Sequence, residues 1–192
     1  MSSYKIIFDG MDNCGKGTQI DKLKPYLYNN PLHILHYTNF PGIKNKNDCL
    51  NYSYKVFEQS ISFLNTNTKT NIIYDRSYLD EYIYGQLYRN YTKDEAIKQI
   101  SVEKLLNIDN ELYLIMLVDT DINALIKRED NKSQSGAKEE LLKREYQLFK
   151  EVFNLSNIKQ KIFIDIKNKS INDVHNIIKQ FLNLKETDKK YE

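Results

Sequence analysis

A run of eleven residues, Phe8 to Thr18 (FDGMDNCGKGT), concentrates the groups that handle phosphate. Gly10, Gly15 and Lys16 fit the spacing GxxxxGK. That spacing works because a glycine-containing turn aims successive backbone N–H groups inward. A helix N-terminus behind it adds partial positive charge, and the lysine ammonium reaches the β- and γ-phosphates. A nucleoside triphosphate is the expected ligand, cradled by Gly10, Asn13, Cys14, Gly15, Lys16, Gly17 and Thr18. The strict pattern places Ser or Thr directly after the lysine to hold Mg²⁺. Here Gly17 stands there and Thr18 follows, so the candidate metal ligand is displaced by one position. Cys14 reads as a small filler, because phosphoryl transfer from ATP needs no enzyme thiol.

Asp75 and Arg76 form a second candidate, at the end of the apolar run in NIIYDRS (71–77). Parallel strands bring their carboxyl ends together, so an acid there can face the phosphate turn across the crevice where such sheets bind ligands. Asp75 could order Mg²⁺ and its waters, and Arg76 could grip an acceptor's phosphate through bidentate hydrogen bonds. Standing alone, the pair would read as a surface ion pair at a strand end.

For these groups to meet, strands and helices must alternate. Short apolar runs at 4–8, 33–37, 71–74, 112–118 and 161–164 read as buried strands. Helical spacing is clearest at Leu50, Tyr54, Phe57, Ile61 and Leu64, at Leu142, Tyr146, Phe149 and Phe153, and at Val174, Ile177, Ile178 and Phe181. Thr92 with Glu95 and Ser170 with Asp173 have capping-box spacing ahead of periodic segments. The fold class is therefore α/β, with about five parallel strands covered on both faces by helices, three layers in all. No Pro-rich or Gly-rich linker and no internal repeat divides residues 1–192, so one domain is expected. The polar stretch 128–138 reads as a loop and 185–192 as a solvated tail.

The charge balance, 28 Lys plus Arg against 26 Asp plus Glu, leaves +2 and sets aside nucleic acid and anionic membranes as partners. No apolar run approaches the roughly 20 residues that span a bilayer. Two cysteines, Cys14 and Cys49, make no disulfide scaffold. The start MSSYKIIFDG lacks a basic segment followed by a long apolar one, so a reducing, cytoplasmic setting is expected. His33, His36 and His175 lack metal-ligand spacing with the cysteines, which argues against zinc.

In order along the chain, these landmarks resemble the thymidylate kinase branch of the nucleoside-monophosphate kinases, with a kinship to deoxynucleoside kinases. FDGMDNCGKGTQ is similar to the family's phosphate loop, NFPG (39–42) to its Phe-Pro segment, and YDRSYLDEYIYG (74–85) to its Asp-Arg segment. LVDTDINALIKRE (117–129) is similar to the stretch entering the LID, and FIDI (163–166) to the last strand. The resemblance implies a P-loop kinase fold with a LID over about 128–144, ATP and Mg²⁺ as cofactors, small nucleotides as substrates, and a homodimer through helices beside the acceptor site. Lys16 would hold the donor phosphates, Asp12 the acceptor sugar or its phosphate region, Arg76 the acceptor phosphate, and Asp75 with Thr18 the Mg²⁺. Phe40 and Pro41 would line the acceptor pocket, Tyr84 would lie by the nucleobase, and Arg89 could reach an acceptor phosphate. Some members carry a catalytic arginine where this chain has Asn13. The charge on the transferring phosphoryl would then be met from the LID, by Arg128 first and by Arg144 or Lys132 next.

Departures from the family pattern open the substrate. Ser77 stands where Tyr is usual, Asn39 where Arg is common, and the helix around 50–64 has no Arg to read the base, leaving Gln59 or Lys55. The favoured acceptor is dTMP, with dUMP, a modified pyrimidine nucleotide or several deoxynucleoside monophosphates as alternatives. A deoxynucleoside kinase is a rival reading, with Asp12 or Asp75 as base toward a 5′-hydroxyl. Adenylate kinase is another, from GKGTQ (15–19), although its loop proline is absent. NKND (45–48) matches a guanine-binding pattern but sits too early in the chain. A P-loop protein that binds nucleotide without catalysis is the reading outside enzymes.

Overall fold

The buried apolar runs lie side by side in one parallel sheet. The computed structural model describes residues 3–37, 43, 45–108, 111–129, 133, 136 and 138–185. Strands β1 (Lys5–Gly10), β2 (Leu32–His36), β3 (Asn71–Asp75), β4 (Leu112–Val118) and β5 (Gln160–Asp165) are arranged in the order β2-β3-β1-β4-β5. Every pairing is parallel. Each residue of β1 is buried, as a central strand covered on both faces requires, and its apolar residues therefore run without alternation. The edge strand β2 is half-buried at best and can carry His33 and His36.

The described helices are α1 (Lys16–Leu27), α2 (Lys46–Thr66), α3 (Tyr78–Tyr88), α4 (Lys93–Ile100), α5 (Ile122–Arg128), α6 (Glu139–Leu155) and α7 (Ile171–Phe181). Strand order and crossover handedness assign them to layers. The step from β1 to β2 runs across the sheet in one direction; the steps to β3, β4 and β5 run in the other. Right-handed crossovers then place α1 on one face and α2, α3 and α6 on the opposite face. Contacts agree: α1 packs on α7, and α3 packs on both α2 and α6. The direction changes at β1, and ligands bind such sheets at a reversal of this kind, beyond the carboxyl ends of the strands.

Both predicted capping boxes are formed, at Thr92 with Glu95 for α4 and at Ser170 with Asp173 for α7. The NKND match is also a helix start. The Asn45 side chain accepts from the N–H groups of Asn47 at 2.8 Å and Asp48 at 3.3 Å, which makes it the N-cap of α2. Helix α5 already includes Arg128 and α6 begins at Glu139. The segment between them is thus 129–138, and the last residues of the expected LID, 139–144, belong to α6. Among the described residues no helix is long and apolar enough to cross a membrane.

Candidate active site at the carboxyl edge of the sheet

The turn after β1 is tied to the strands on either side of it. Met11 N–H donates to Leu117 O at 3.0 Å on β4, and Arg76 N–H, just after β3, donates to Phe8 O at 2.8 Å. Gly10 has φ 135°, and a Cβ there would lie 1.9 Å from Leu117 O, so the close approach of β1 to β4 requires glycine. Gly15, the N-cap of α1, has φ 79° in open space, so its glycine serves conformation alone. Lys16 folds back over the turn, its Nζ donating to Gly10 O at 2.7 Å and Met11 O at 2.9 Å, 4.0 Å from Asp12 Oδ1. Cys14 is packed beneath the turn, and burial pushes its thiol up to about 12.

Arg76 follows β3 with φ 75°, a left-handed backbone for a residue with a side chain. Its guanidinium spans two acids, Asp12 in the turn and Asp80 Oδ2 at 3.1 Å in the first turn of α3. Beneath it, Ser77 Oγ donates to Asp9 Oδ2 at 2.5 Å while accepting from Leu79 N–H at 3.1 Å as the N-cap of α3. Asp9 is fully buried, and burial first, then the Asp80 carboxylate, hold its carboxyl well above the usual carboxylate range. Among the described residues Asp9 Oδ1 and Asp80 Oδ1 are buried without a hydrogen-bond partner, and burial raises the carboxyl of Asp80 as well. Next to this cluster His36, at the end of β2, stands in register with Asp75, at the end of β3. His36 Nδ1 donates to Asp75 Oδ2 at 2.7 Å.

These groups surround a cavity of about 430 Å³ lined by Asp12, Asn13, Gly15, Lys16, Gly17, Thr18, His36, Asp75, Arg76, Arg128 and Ser133. Nine of these eleven are residues singled out in the sequence. Gly10 and Cys14 support the turn from below. The others lie elsewhere, for reasons of helix geometry. Tyr84 is buried and does not line the cavity, its hydroxyl donating to Glu145 Oε1 at 3.1 Å behind the Arg76, Asp80 and Asp12 cluster with which it interacts electrostatically. Arg89, the C-cap of α3, lies back along that helix and donates to Glu81 Oε2 at 3.1 Å. Arg144 projects from the exposed face of α6, near Glu151 and Tyr82. Gln59 and Lys55 are exposed on α2, because the period that turns Phe57 and Ile61 inward turns them out. Phe40, Pro41, Asn39 and Lys132 lie outside the described residues.

Sequence reasoning missed His36, because strand register, which brings it to Asp75, leaves no local pattern. It also missed Asp9, whose signal was a carboxylate inside an otherwise apolar strand, and Asp80, in the first turn of α3, and it named Ser77 only as a departure from the family pattern. The chemistry present is that of a polyanion site. Lys16, Arg76, Arg128 and the helix N-terminus of α1 face one space, with Asp12 and Asp75 between them. Among the described residues no group of three or more His, Cys, Asp or Glu could hold a metal by itself. The donors suit Mg²⁺ carried in by phosphates: Asp75 Oδ1 is buried without a partner among the described residues, and the exposed Thr18 lines the same cavity.

At the level of sequence, no family model and no curated protein matches the chain. Solved structures do match it by fold. The YorR protein of Bacillus subtilis, solved in complex with phosphorylated GDP, superposes with a TM-score of 0.67 at 19% identity, over 93% of this chain and 95% of that one. Thymidylate kinase from Candida albicans gives 0.61 at 15% identity, over 95% and 92%. Deoxyadenosine kinase from M. mycoides with bound dATP gives 0.56 at 18% identity, over 93% and 99%. The fold is that of the P-loop kinases, a five-stranded parallel sheet between helical layers. Its solved neighbours include kinases of nucleosides and of nucleotides.

Proposed function

We propose that this protein transfers the γ-phosphoryl group of ATP to a deoxynucleoside monophosphate, with dTMP as the favoured acceptor. The observation that carries this reading is the gathering of Lys16, Asp12, Arg76, Asp75 and Arg128 around one cavity at the carboxyl edge of the sheet. The acceptor's phosphate oxygen is already anionic at neutral pH, so catalysis reduces to alignment and neutralisation of charge. Lys16 turns from the carbonyls of residues 10 and 11 to the donor phosphates. Arg76, carried rigidly on the Phe8 hydrogen bond, takes the acceptor phosphate, and Asp12 steers its guanidinium. Arg128 shares the charge of the phosphoryl in flight. Mg²⁺, held by Asp75 and Thr18, supplies charge neutralisation on the donor phosphates when bound.

A deoxynucleoside kinase is the second reading. It is favoured by the placement of Arg89 and Arg144 away from the cavity, which leaves Arg76 as the one described arginine toward the acceptor side, with the acids Asp12 and Asp75 nearby. A panel of nucleosides and nucleoside monophosphates with ATP and Mg²⁺ tests both. Turnover of dTMP and not thymidine supports the first, and the reverse pattern replaces it with the second. Binding of ATP without transfer to any acceptor would leave a non-catalytic nucleotide-binding protein. The variant Lys16→Ala should lose about 10²- to 10³-fold in kcat; a near-normal rate would remove the mechanism.

A further inference from the structure

Asp119 follows the last residue of β4 and is fully buried, yet its carboxylate holds a residue that lines the cavity. One oxygen, Oδ1, accepts from Asp121 N–H at 2.8 Å, at the start of α5. The other, Oδ2, accepts from Arg128 Nη2 at 2.8 Å, at the end of the same helix. The acid therefore fixes both ends of this two-turn helix. Arg128 reaches outward from it: Nη1 donates to Asn13 O at 3.3 Å, on the phosphate turn. The next residue, Glu129, accepts at Oε2 from Asn13 Nδ2 at 3.3 Å and is also bonded by Ser133. Two consecutive residues at the entry to the 129–138 segment thus grip the backbone and the side chain of Asn13, whose φ is 61°.

The Asp119 side chain is 0% exposed and that of Arg128 is 42% exposed, so the pair runs from the core into the cavity. A buried carboxylate with a charged partner is costly to leave alone, and that cost holds the guanidinium in one place. We propose that Asp119 is a positioning residue that holds Arg128 over the phosphate turn, and that the grip of Arg128 and Glu129 on Asn13 couples the end of α5 to that turn. The catalytic half of this inference rests on the role given to Arg128 above; the coupling half stands on the hydrogen bonds alone.

The test uses Asp119→Asn, which keeps an acceptor for Asp121 N–H and removes the charge facing Arg128, alone and combined with Arg128→Ala. Asp119→Asn should lower kcat between about tenfold and a hundredfold with little change in acceptor KM, as misplacement of a charge-stabilising group does. Added to Arg128→Ala it should cost nothing more; additive losses overturn the positioning role. Backbone hydrogen exchange without nucleotide reads the coupling independently of activity. Exchange at residues 11–15 should quicken in Asp119→Asn and equally in Arg128→Ala, which breaks the same pair from its other side, with exchange in the β1 and β4 strands as the reference for any general loss of stability. Unchanged exchange in the turn in both variants overturns the coupling. A wild-type protein with no transferase activity would remove the proposed function and the catalytic half together, while the exchange result still decides the coupling.

Discussion

His36 Nδ1 lies 2.7 Å from Asp75 Oδ2 where the last residues of β2 and β3 stand in register. The bond occupies one carboxylate oxygen and leaves Oδ1 buried and, among the described residues, without a partner, so the imidazole sets which oxygen is available. A ligand oriented in this way binds metal more tightly than a free one. In the presence of ADP, His36→Ala should weaken Mn²⁺ binding about tenfold, measured by the loss of the free-ion paramagnetic resonance signal. His36→Asn should retain most of the affinity, because its amide can donate from nearly the position of Nδ1. Equal affinities in all three proteins would show that His36 does not orient Asp75.

The two motif glycines should fail differently. A Cβ at Gly10 meets the backbone of Leu117, which cannot yield without breaking the β1–β4 pairing, so Gly10→Ala should cost more than about 4 kcal/mol and compromise folding. At Gly15 no atom lies within 4 Å of the added Cβ, and only the left-handed backbone is strained, at about 1–2 kcal/mol. Urea denaturation of both variants checks the order. Equal losses would mean that crowding against Leu117 does not set the cost at Gly10.

Glu81 should tilt the pH dependence of stability. Burial pushes its carboxyl from 4.5 up to about 7, against the opposing pull of Arg89. Because the folded protein binds this proton more tightly than the unfolded chain, the contribution is complete below about pH 4.5. It is lost as pH rises through about 7. Replacement by Gln removes the titrating group, so Glu81→Gln should lose less stability than the wild type between pH 5 and pH 8. Denaturation midpoints at the two pH values give the comparison, in which the missing Arg89 pairing enters mainly as a constant offset. An unchanged difference would exclude Glu81 as a source of the slope.

Cys14 should be inert in the folded protein. Its thiol is buried and pushed up to about 12, burial being the main cause, and the thiolate is the reactive species. Iodoacetamide at pH 8 should leave Cys14 unmodified in native protein and alkylate it after unfolding, as site-resolved mass spectrometry would show. Rapid native labelling would mean that the turn opens.

The sheet was legible because strands buried on both faces are written as continuous apolar runs, such as IIF in β1 and LYLIMLV in β4. The phosphate turn was legible because its spacing encodes its geometry. Both capping boxes were read correctly for the same reason, being local. What escaped was rotational or nonlocal. Order along the chain brings α3 and α6 to the neighbourhood of the cavity but does not say which face of each helix is turned to it: Arg89 and Arg144 point elsewhere, and Tyr84 is buried behind Arg76 rather than lining the cavity. His36 and Asp75 are 39 positions apart, and Asp9 and Ser77 are 68 apart; only the pairing of strands makes them neighbours. NKND, set aside as a guanine signature on its position, is a helix cap, which uses the same small polar residues as a base-recognition motif.

Arg76 occupies a backbone conformation that glycine adopts freely and other residues adopt at a cost. Glycine here would relieve the backbone but leave the buried Asp80 carboxylate without its cation, so strain and charge pairing oppose each other at this residue. The strained backbone is thus held by the same two ion pairs that aim the guanidinium at the cavity.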